Sequence, residues 1–239
     1  MIDTLLAAGC DADVGDNEHW TALHFAADKG LNDAITALVD RGQASLDAVT
    51  AEGYTTVYLA AQSGHVDTVR LLMDLGAPVA VSDNDGWTAL HAAAGKGHVG
   101  VVRQLLAGGG TDVNARSQDG LVALYLAAQR GYDDVVGVLV DAGAEVDAVE
   151  EEGFAPLHVS CQGGYTDTVR RLLAGGANIN LRARSTSWTP LHYAAQDDFV
   201  DVVTCLLEHG VNVDATTSEG KREKVYLPKP QTQQPQNNS

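Results

Sequence analysis

One segment of eight residues recurs six times along the chain, and its spacing restricts the fold more than any other feature. WTALHFAA begins at Trp20, YTTVYLAA at Tyr54, WTALHAAA at Trp87, LVALYLAA at Leu121, FAPLHVSC at Phe154 and WTPLHYAA at Trp188, in steps of 34, 33, 34, 33 and 34 residues. A fixed period of this size marks a stacked array, in which one supersecondary unit cannot bury its own apolar face and its neighbours must do so. A single globular core has no need of such regularity.

The remainder of each unit keeps the same register. A glycine follows the segment at Gly30, Gly64, Gly97, Gly131 and Gly164, and Asp198 stands there in the sixth copy. Aspartate tolerates a left-handed backbone better than most residues. A second apolar pattern comes next, as in Val101, Val102, Leu105 and Leu106, or Val202, Val203, Leu206 and Leu207. Spacings of one, three and four place such residues on one helix face. Another glycine then stops the helix, at Gly42, Gly76, Gly109, Gly143, Gly176 and Gly210, the usual C-terminal signal. A polar stretch such as SDNDG ending at Gly86 or SQDG ending at Gly120 suits a tight turn or hairpin tip. Each unit therefore reads as short helix, turn, longer helix and extended polar finger. Aromatic residues are only 5% of the chain, so the core must be built from Ala, Val and Leu. The pairs Ala26–Ala27, Ala60–Ala61, Ala93–Ala94, Ala127–Ala128 and Ala194–Ala195 let the helices approach closely.

These motifs resemble the ankyrin repeat, whose signature is G-x-T-P-L-H-x-A-A, then G-H, then V-V-x-x-L-L and G-A. The resemblance runs from Ile2 to about Gly220. It implies an all-α solenoid of antiparallel helix pairs, with β-hairpin or loop fingers near right angles to them and a concave face made of fingers and first helices. The expected organisation is a half repeat at 1–15, six repeats at about 16–49, 50–82, 83–116, 117–149, 150–183 and 184–217, and a disordered polar tail at 221–239. In the family the Thr and His of the motif hydrogen-bond to link neighbouring loops. Here His24, His91, His158 and His192 keep that position, but Tyr58 and Tyr125 replace it, and the Thr is lost at Val122 and Ala155. The second and fourth units are expected to be less well tied. The longer steps place one extra residue near Gln43–Leu46, Gly110–Val113 and Arg182–Ser187, where the fingers should be irregular.

The ends look incomplete. IDTLLAAGCDADV matches a second helix and finger without a first helix, and would leave Leu5 and Leu6 partly uncovered. This suggests a piece of a longer array, a truncated product, or a protein whose ends a partner covers. The segment Lys221–Ser239 is rich in Gln, Pro, Asn and Lys and cannot bury enough apolar surface to fold.

A net charge of -17 repels a nucleic acid duplex or an anionic membrane. No apolar run approaches the roughly 20 residues that span a bilayer. The opening MIDTLLAAGC has small residues before Cys10 but no basic n-region, and its apolar stretch is shorter than the about 7 to 15 residues of a signal peptide. Cys10, Cys161 and Cys205 form neither a disulfide framework nor a zinc pair. An intracellular protein, cytoplasmic or nuclear, is expected.

No motif points to catalysis. Six of the eight histidines fall on repeating positions, including His65 and His98 of the G-H pair, while His19 and His209 have no partner set. Cys161, three residues from His158, replaces a small packing residue and reads as a buried, inert thiol. The run Glu150–Glu152 lacks the spacing of a calcium loop. No enzyme, cofactor or metal site is expected.

Function must then come from a surface. The resemblance places Trp20, Tyr54, Trp87, Leu121, Phe154 and Trp188 on the fingers facing the concave side, with Phe25, Leu59, Leu126 and Tyr193 on the first helices, along with Ala92 and Val159, and Arg130 a turn further on. A bulky residue at this finger position is common in the family and packs on the next finger. The row as a whole also reads as a binding stripe, since Trp, Tyr and Arg dominate interface hot spots. Asp16, Glu18, Glu52, Asp83, Asp85, Asp119 and Glu150–Glu152 surround it, and Arg182 and Arg184 change the sign toward the sixth finger. The expected partner is a protein presenting basic and apolar groups. The chain itself should be monomeric unless uncovered ends associate. A regulatory piece of a larger signalling or membrane-associated protein, or an inhibitor that covers a kinase or transcription factor, is the alternative. The family resemblance also marks the stretch from Leu106 through Asp112 to Asn114 as a target for asparaginyl hydroxylation at Asn114.

Overall fold

The computed structural model describes residue 4 and residues 8–216. The half repeat expected around Leu5 and Leu6 falls largely outside the described residues, and so does the tail expected at 221–239. Among the described residues twelve α-helices form six antiparallel pairs. They are α1 (Ala22–Asp28) with α2 (Asn32–Asp40), α3 (Thr56–Gln62) with α4 (Val66–Asp74), and α5 (Ala89–Gly95) with α6 (Val99–Ala107). The array continues with α7 (Ala123–Gln129) and α8 (Asp133–Asp141), α9 (Pro156–Gln162) and α10 (Thr166–Ala174), and α11 (Pro190–Gln196) and α12 (Val200–Glu208). First helices stack on first helices and second on second along the array.

Each first helix starts just after the motif Thr position. Thr21, Thr55 and Thr88 accept from the backbone N–H three residues on. Val122 and Ala155 offer no such oxygen, a loss of about 1 kcal/mol each. The turn into the second helix uses a residue with positive φ. Gly30 (φ 68) shows why: a Cβ there would also sit 2.9 Å from the ring of His65 in the next unit. Asp198 adopts φ 57 in the sixth unit, as its position required. The added residues show the expected irregularity: Gln43 and Gly110 take φ 51 and 77, and the sixth tip closes from Ala183 N to Trp188 O, one residue longer than the others.

The interior is a ladder. Leu23, Leu90, Leu124 and Leu157 of the first helices and Ile35, Leu72, Leu105, Leu139, Leu172 and Leu206 of the second are fully buried. The alanines between them are buried in the same continuous cluster. With so little side chain between backbones, helix layers lie close and packing is decided residue by residue.

Of the hairpin or loop fingers that the resemblance implies, these take the loop form. An isolated bridge joins Ser82 to Thr88. Each finger closes on a short turn in which the backbone N–H at the start donates to the carbonyl of the row residue: Asp16 to Trp20 (3.0 Å), Thr50 to Tyr54 (3.1 Å), Asp83 to Trp87 (2.8 Å), Ser117 to Leu121 (2.9 Å), Glu150 to Phe154 (3.2 Å) and Ala183 to Trp188 (2.9 Å). Two arms this short leave little room for a ladder.

The motif histidines stitch units together. His24 Nδ1 accepts from Thr21 N (3.1 Å), which fixes the proton on Nε2, and Nε2 donates to Ala48 O of the next finger (3.1 Å). His91 and His158 repeat this with Leu121 O (3.0 Å) and Leu181 O (2.9 Å). Burial, the largest cause, holds His24, His91 and His158 below their ordinary value of 6.5. The unfolded chain therefore binds more protons than the folded one just below that pH, and stability falls as pH drops through it. Melting temperature followed by circular dichroism is expected to be flat above about pH 7 and to fall as pH drops below about 6.5. His91→Tyr, which copies the second and fourth units, should make that fall shallower, since one such group is removed.

Candidate protein-interaction surface

The row residues are held by their own backbones. Asp16 Oδ1 accepts from Trp20 N (2.9 Å), Thr50 Oγ1 from Tyr54 N (3.2 Å), Asp83 Oδ1 from Trp87 N (2.8 Å), Ser117 Oγ from Leu121 N (3.1 Å) and Glu150 Oε1 from Phe154 N (2.7 Å). In the sixth finger Thr186 Oγ1 takes this part for Trp188 N (3.2 Å). Asp16, Asp83 and Glu150 are thus tip closures as well as rim charges. Two polar bonds on one short turn fix where each row side chain starts.

All six row residues are half-buried. They lean on the first helices: Trp20 on Phe25 (ring centroids 5.0 Å), Tyr54 stacked on Tyr58 (4.6 Å, 14° between planes), Phe154 on Tyr193 (5.5 Å) and Trp188 on Tyr193 (5.0 Å). The groove residues need correction. Leu59, Leu126 and Tyr193 are buried, at 2%, 6% and 5% exposure, and form the layer beneath the row rather than an accessible face. Ala92 and Val159 share that burial. Trp20, Tyr54 and Trp87 pack against the cluster of Leu59 and Ala92, and Phe154 and Trp188 against Tyr193. Phe25, next to the first finger, is 49% exposed, and Arg130 is exposed at the end of α7.

Tyr58, which the sequence marks only as a missing histidine, is part of this surface. It packs with Leu59 and Ala92 in a small cluster of its own under Trp20, Tyr54 and Trp87. Burial, then Asp83, pushes its phenol far up. Tyr125 is pushed up to about 12 by burial and then by Glu150 and Glu152. Cys161 is fully buried and its thiol is pushed up by burial, as a packing residue's would be. Among the described residues no group of three or more His, Cys, Asp or Glu could hold a metal ion, and no helix is long and apolar enough to cross a membrane.

Asn114 is half-buried and engaged. Its Oδ1 accepts from Glu145 N of the next unit (2.8 Å) while its own N–H donates to Asp112 Oδ1 (2.9 Å). The same link joins Asp13 to Ser45 N, Asp147 to Asn178 N and Asn180 to Asn212 N. Arg182 and Arg184 are also engaged with carbonyls, Arg182 with Ser187 O and Thr216 O and Arg184 with Glu151 O. They bring positive charge to the sixth finger as fixed groups.

A model of ankyrin repeats matches in three copies, at residues 1–83, 75–150 and 143–217. The chain belongs to the ankyrin repeat family. The B-cell lymphoma 3 protein homolog of Mus musculus is 31% identical over 143 residues, which covers 59% of this chain and 32% of that protein. The NF-kappa-B inhibitor alpha of Sus scrofa is 34% identical over 84 residues, 33% of this chain and 27% of that protein. Among solved structures, the human ASB11 ankyrin repeat domain superposes with a TM-score of 0.75 at 27% identity, covering 89% of this chain and 93% of that one. The ankyrin repeat domain of Bcl-3 gives 0.76 at 29% identity, covering 86% and 93%. The chain spans about a third or less of the length of the curated relatives it matches.

In this ankyrin array neighbouring fingertips are joined by one backbone bond each: Ala51 N to Glu18 O (2.9 Å), Asn84 N to Glu52 O (3.0 Å), Gln118 N to Asp85 O (2.9 Å) and Ser185 N to Glu152 O (3.0 Å). Between the fourth and fifth tips the equivalent bond, Glu151 N to Asp119 O, is absent among the described residues. Arg116 bridges lower down instead, from Nη1 to Val149 O (2.9 Å) and Gly120 O (3.1 Å). Amide hydrogen exchange read by NMR should therefore find Glu151 unprotected while Ala51, Asn84, Gln118 and Ser185 are slowed. Equal protection at all five would remove the gap.

Proposed function

We propose that this chain is a non-catalytic protein-binding module or scaffold that grips its partner along the concave face of fingers and first helices. One observation carries the reading. Five aromatic residues and Leu121 stand in a row, each fixed by a hydrogen-bonded tip and backed by a buried layer, with carboxylates alongside. Rigid aromatic groups lose little entropy on contact and dominate binding energy. The acidic border favours a partner with basic and apolar groups over nucleic acid or an anionic membrane. No cofactor is needed for this role, and unpaired cysteines suit an intracellular, reducing setting.

A narrower reading, an inhibitor that acts by covering its partner, draws on the likeness to a protein named NF-kappa-B inhibitor alpha and to the Bcl-3 domain described as a member of the IkappaB protein family. A regulatory part of a larger signalling protein is equally consistent with the share of relatives that the chain spans.

Proteins captured from the native source by the wild-type chain should be lost with the double variant Trp87→Ala/Trp188→Ala. Each truncation removes about 2 kcal/mol or more of contact energy. Circular dichroism of the variant must match the wild type. Capture that persists at unchanged helicity would defeat the aromatic row as the binding stripe.

A further inference from the structure

The concave face is not uniform. Between the second, third and fourth fingers it deepens into a cavity of about 500 Å3 with an aromatic and acidic lining. Tyr54, Tyr58 and Trp87 supply the aromatic wall, and Asp83, Asp85 and Asp119 the carboxylates. The two tyrosine rings lie nearly parallel at 4.6 Å. Asp83 Oδ1 is spent on the backbone, accepting from Asp85 N (2.9 Å) and Trp87 N (2.8 Å). Asp85 and Asp119 are exposed on adjacent tips. Among the described residues no Lys or Arg forms an ion pair with any of these three carboxylates, although Arg70, Arg116, Arg170 and Arg171 pair with acids elsewhere.

We infer that this cavity is the seat of an arginine side chain presented by the protein partner. The inference rests on the proposed binding role of the concave face and names the chemistry at its centre. Three carboxylates lining one cavity attract a cation. The aromatic faces attract a cation through their quadrupoles. Arginine satisfies both features at once. Its planar guanidinium stacks on a ring face while its edge donates to carboxylates, and it sheds water more easily than an ammonium. A lysine offers the charge without the plane or the fork. The cavity differs from the fifth and sixth fingers, where Phe154 and Trp188 share Tyr193 and the neighbouring guanidiniums of Arg182 and Arg184 are already seated on backbone carbonyls.

The test needs no knowledge of the partner. N-acetyl-arginine methylamide is titrated into the full chain and followed by NMR at the indole N–H signals of Trp20, Trp87 and Trp188. N-acetyl-lysine methylamide and the neutral isostere N-acetyl-citrulline methylamide serve as comparisons. The arginine probe should shift Trp87 saturably and leave Trp20 and Trp188 in place. The lysine probe should bind about tenfold more weakly and citrulline not measurably. Asp85→Asn/Asp119→Asn leaves the tip closures and the aromatic row intact, and should weaken arginine binding about tenfold. Equal binding of citrulline, equal binding of lysine, or uniform shifts at all three tryptophans would each overturn the assignment. The outcome separates from that of the row: a silent probe with partner capture still lost in Trp87→Ala/Trp188→Ala sinks the pocket alone. A specific probe with capture retained in that variant sinks the row alone.

Discussion

Burial by neighbours is the constraint on which the rest of this structure depends. Each pair of short helices carries a wider apolar surface than it can cover, so its stability is supplied by the units on either side. The fully buried leucines repeat at the same positions from Leu23 to Leu206 and join in one continuous cluster. Isolated helices of seven or nine residues are too short to persist in water, so every one exists because of its stack. Glycine placement follows from the same closeness. Gly97 and Gly64 lie where a ring of the next unit, Tyr132 or His98, presses on the turn, at 3.0 and 2.8 Å from the point a Cβ would occupy.

Apolar stacking alone would let units slide. Polar links set the register, and they sit at three heights: the motif histidine to the next finger's carbonyl, the Asx link at the base of the finger, and the backbone bond at the tip. The links are not evenly distributed. The base link is missing where Pro78, which has no N–H, follows Asp47 and where Ala80 replaces the acceptor. There the tip bonds on both sides are intact. At the fourth unit the reverse holds, with the tip bond lost and the base link from Asn114 kept. Each weak height is spanned by a sound one.

The architecture was readable from the sequence because the period, the two glycine stops and the alanine pairs all express the same packing demand. The irregular stretches near Gln43 and Gly110 follow from counting the longer steps. The accessible surface was less readable. Leu59, Leu126 and Tyr193 are buried and meet residues of the adjacent unit, Ala92, Gly95 and Phe154, which their place within one repeat does not reveal. The double use of Asp83 and Glu150 was also hidden. A carboxylate four residues before an aromatic looks the same in a sequence whether it faces solvent or closes a turn. Only the recurrence of an acceptor at Asp16, Thr50, Asp83, Ser117 and Glu150 carried that signal.

The two tyrosines at the histidine position show how one substitution leads to different ends. In each case a link to the next finger's backbone is given up. In the second unit Thr55 still caps the helix and Tyr54 is aromatic, so Tyr58 finds a stacking partner and a carboxylate, and the lost link becomes the floor of a cavity. In the fourth unit Val122 cannot cap and Leu121 cannot stack as a second ring, so Tyr125 is simply buried. The same exchange therefore adds a surface feature where its neighbours are polar and aromatic, and leaves a looser junction where they are aliphatic. In a one-dimensional array that difference stays local, because a unit answers only to those beside it. Such an array can specialise one stretch of its face without disturbing the stacking of the others.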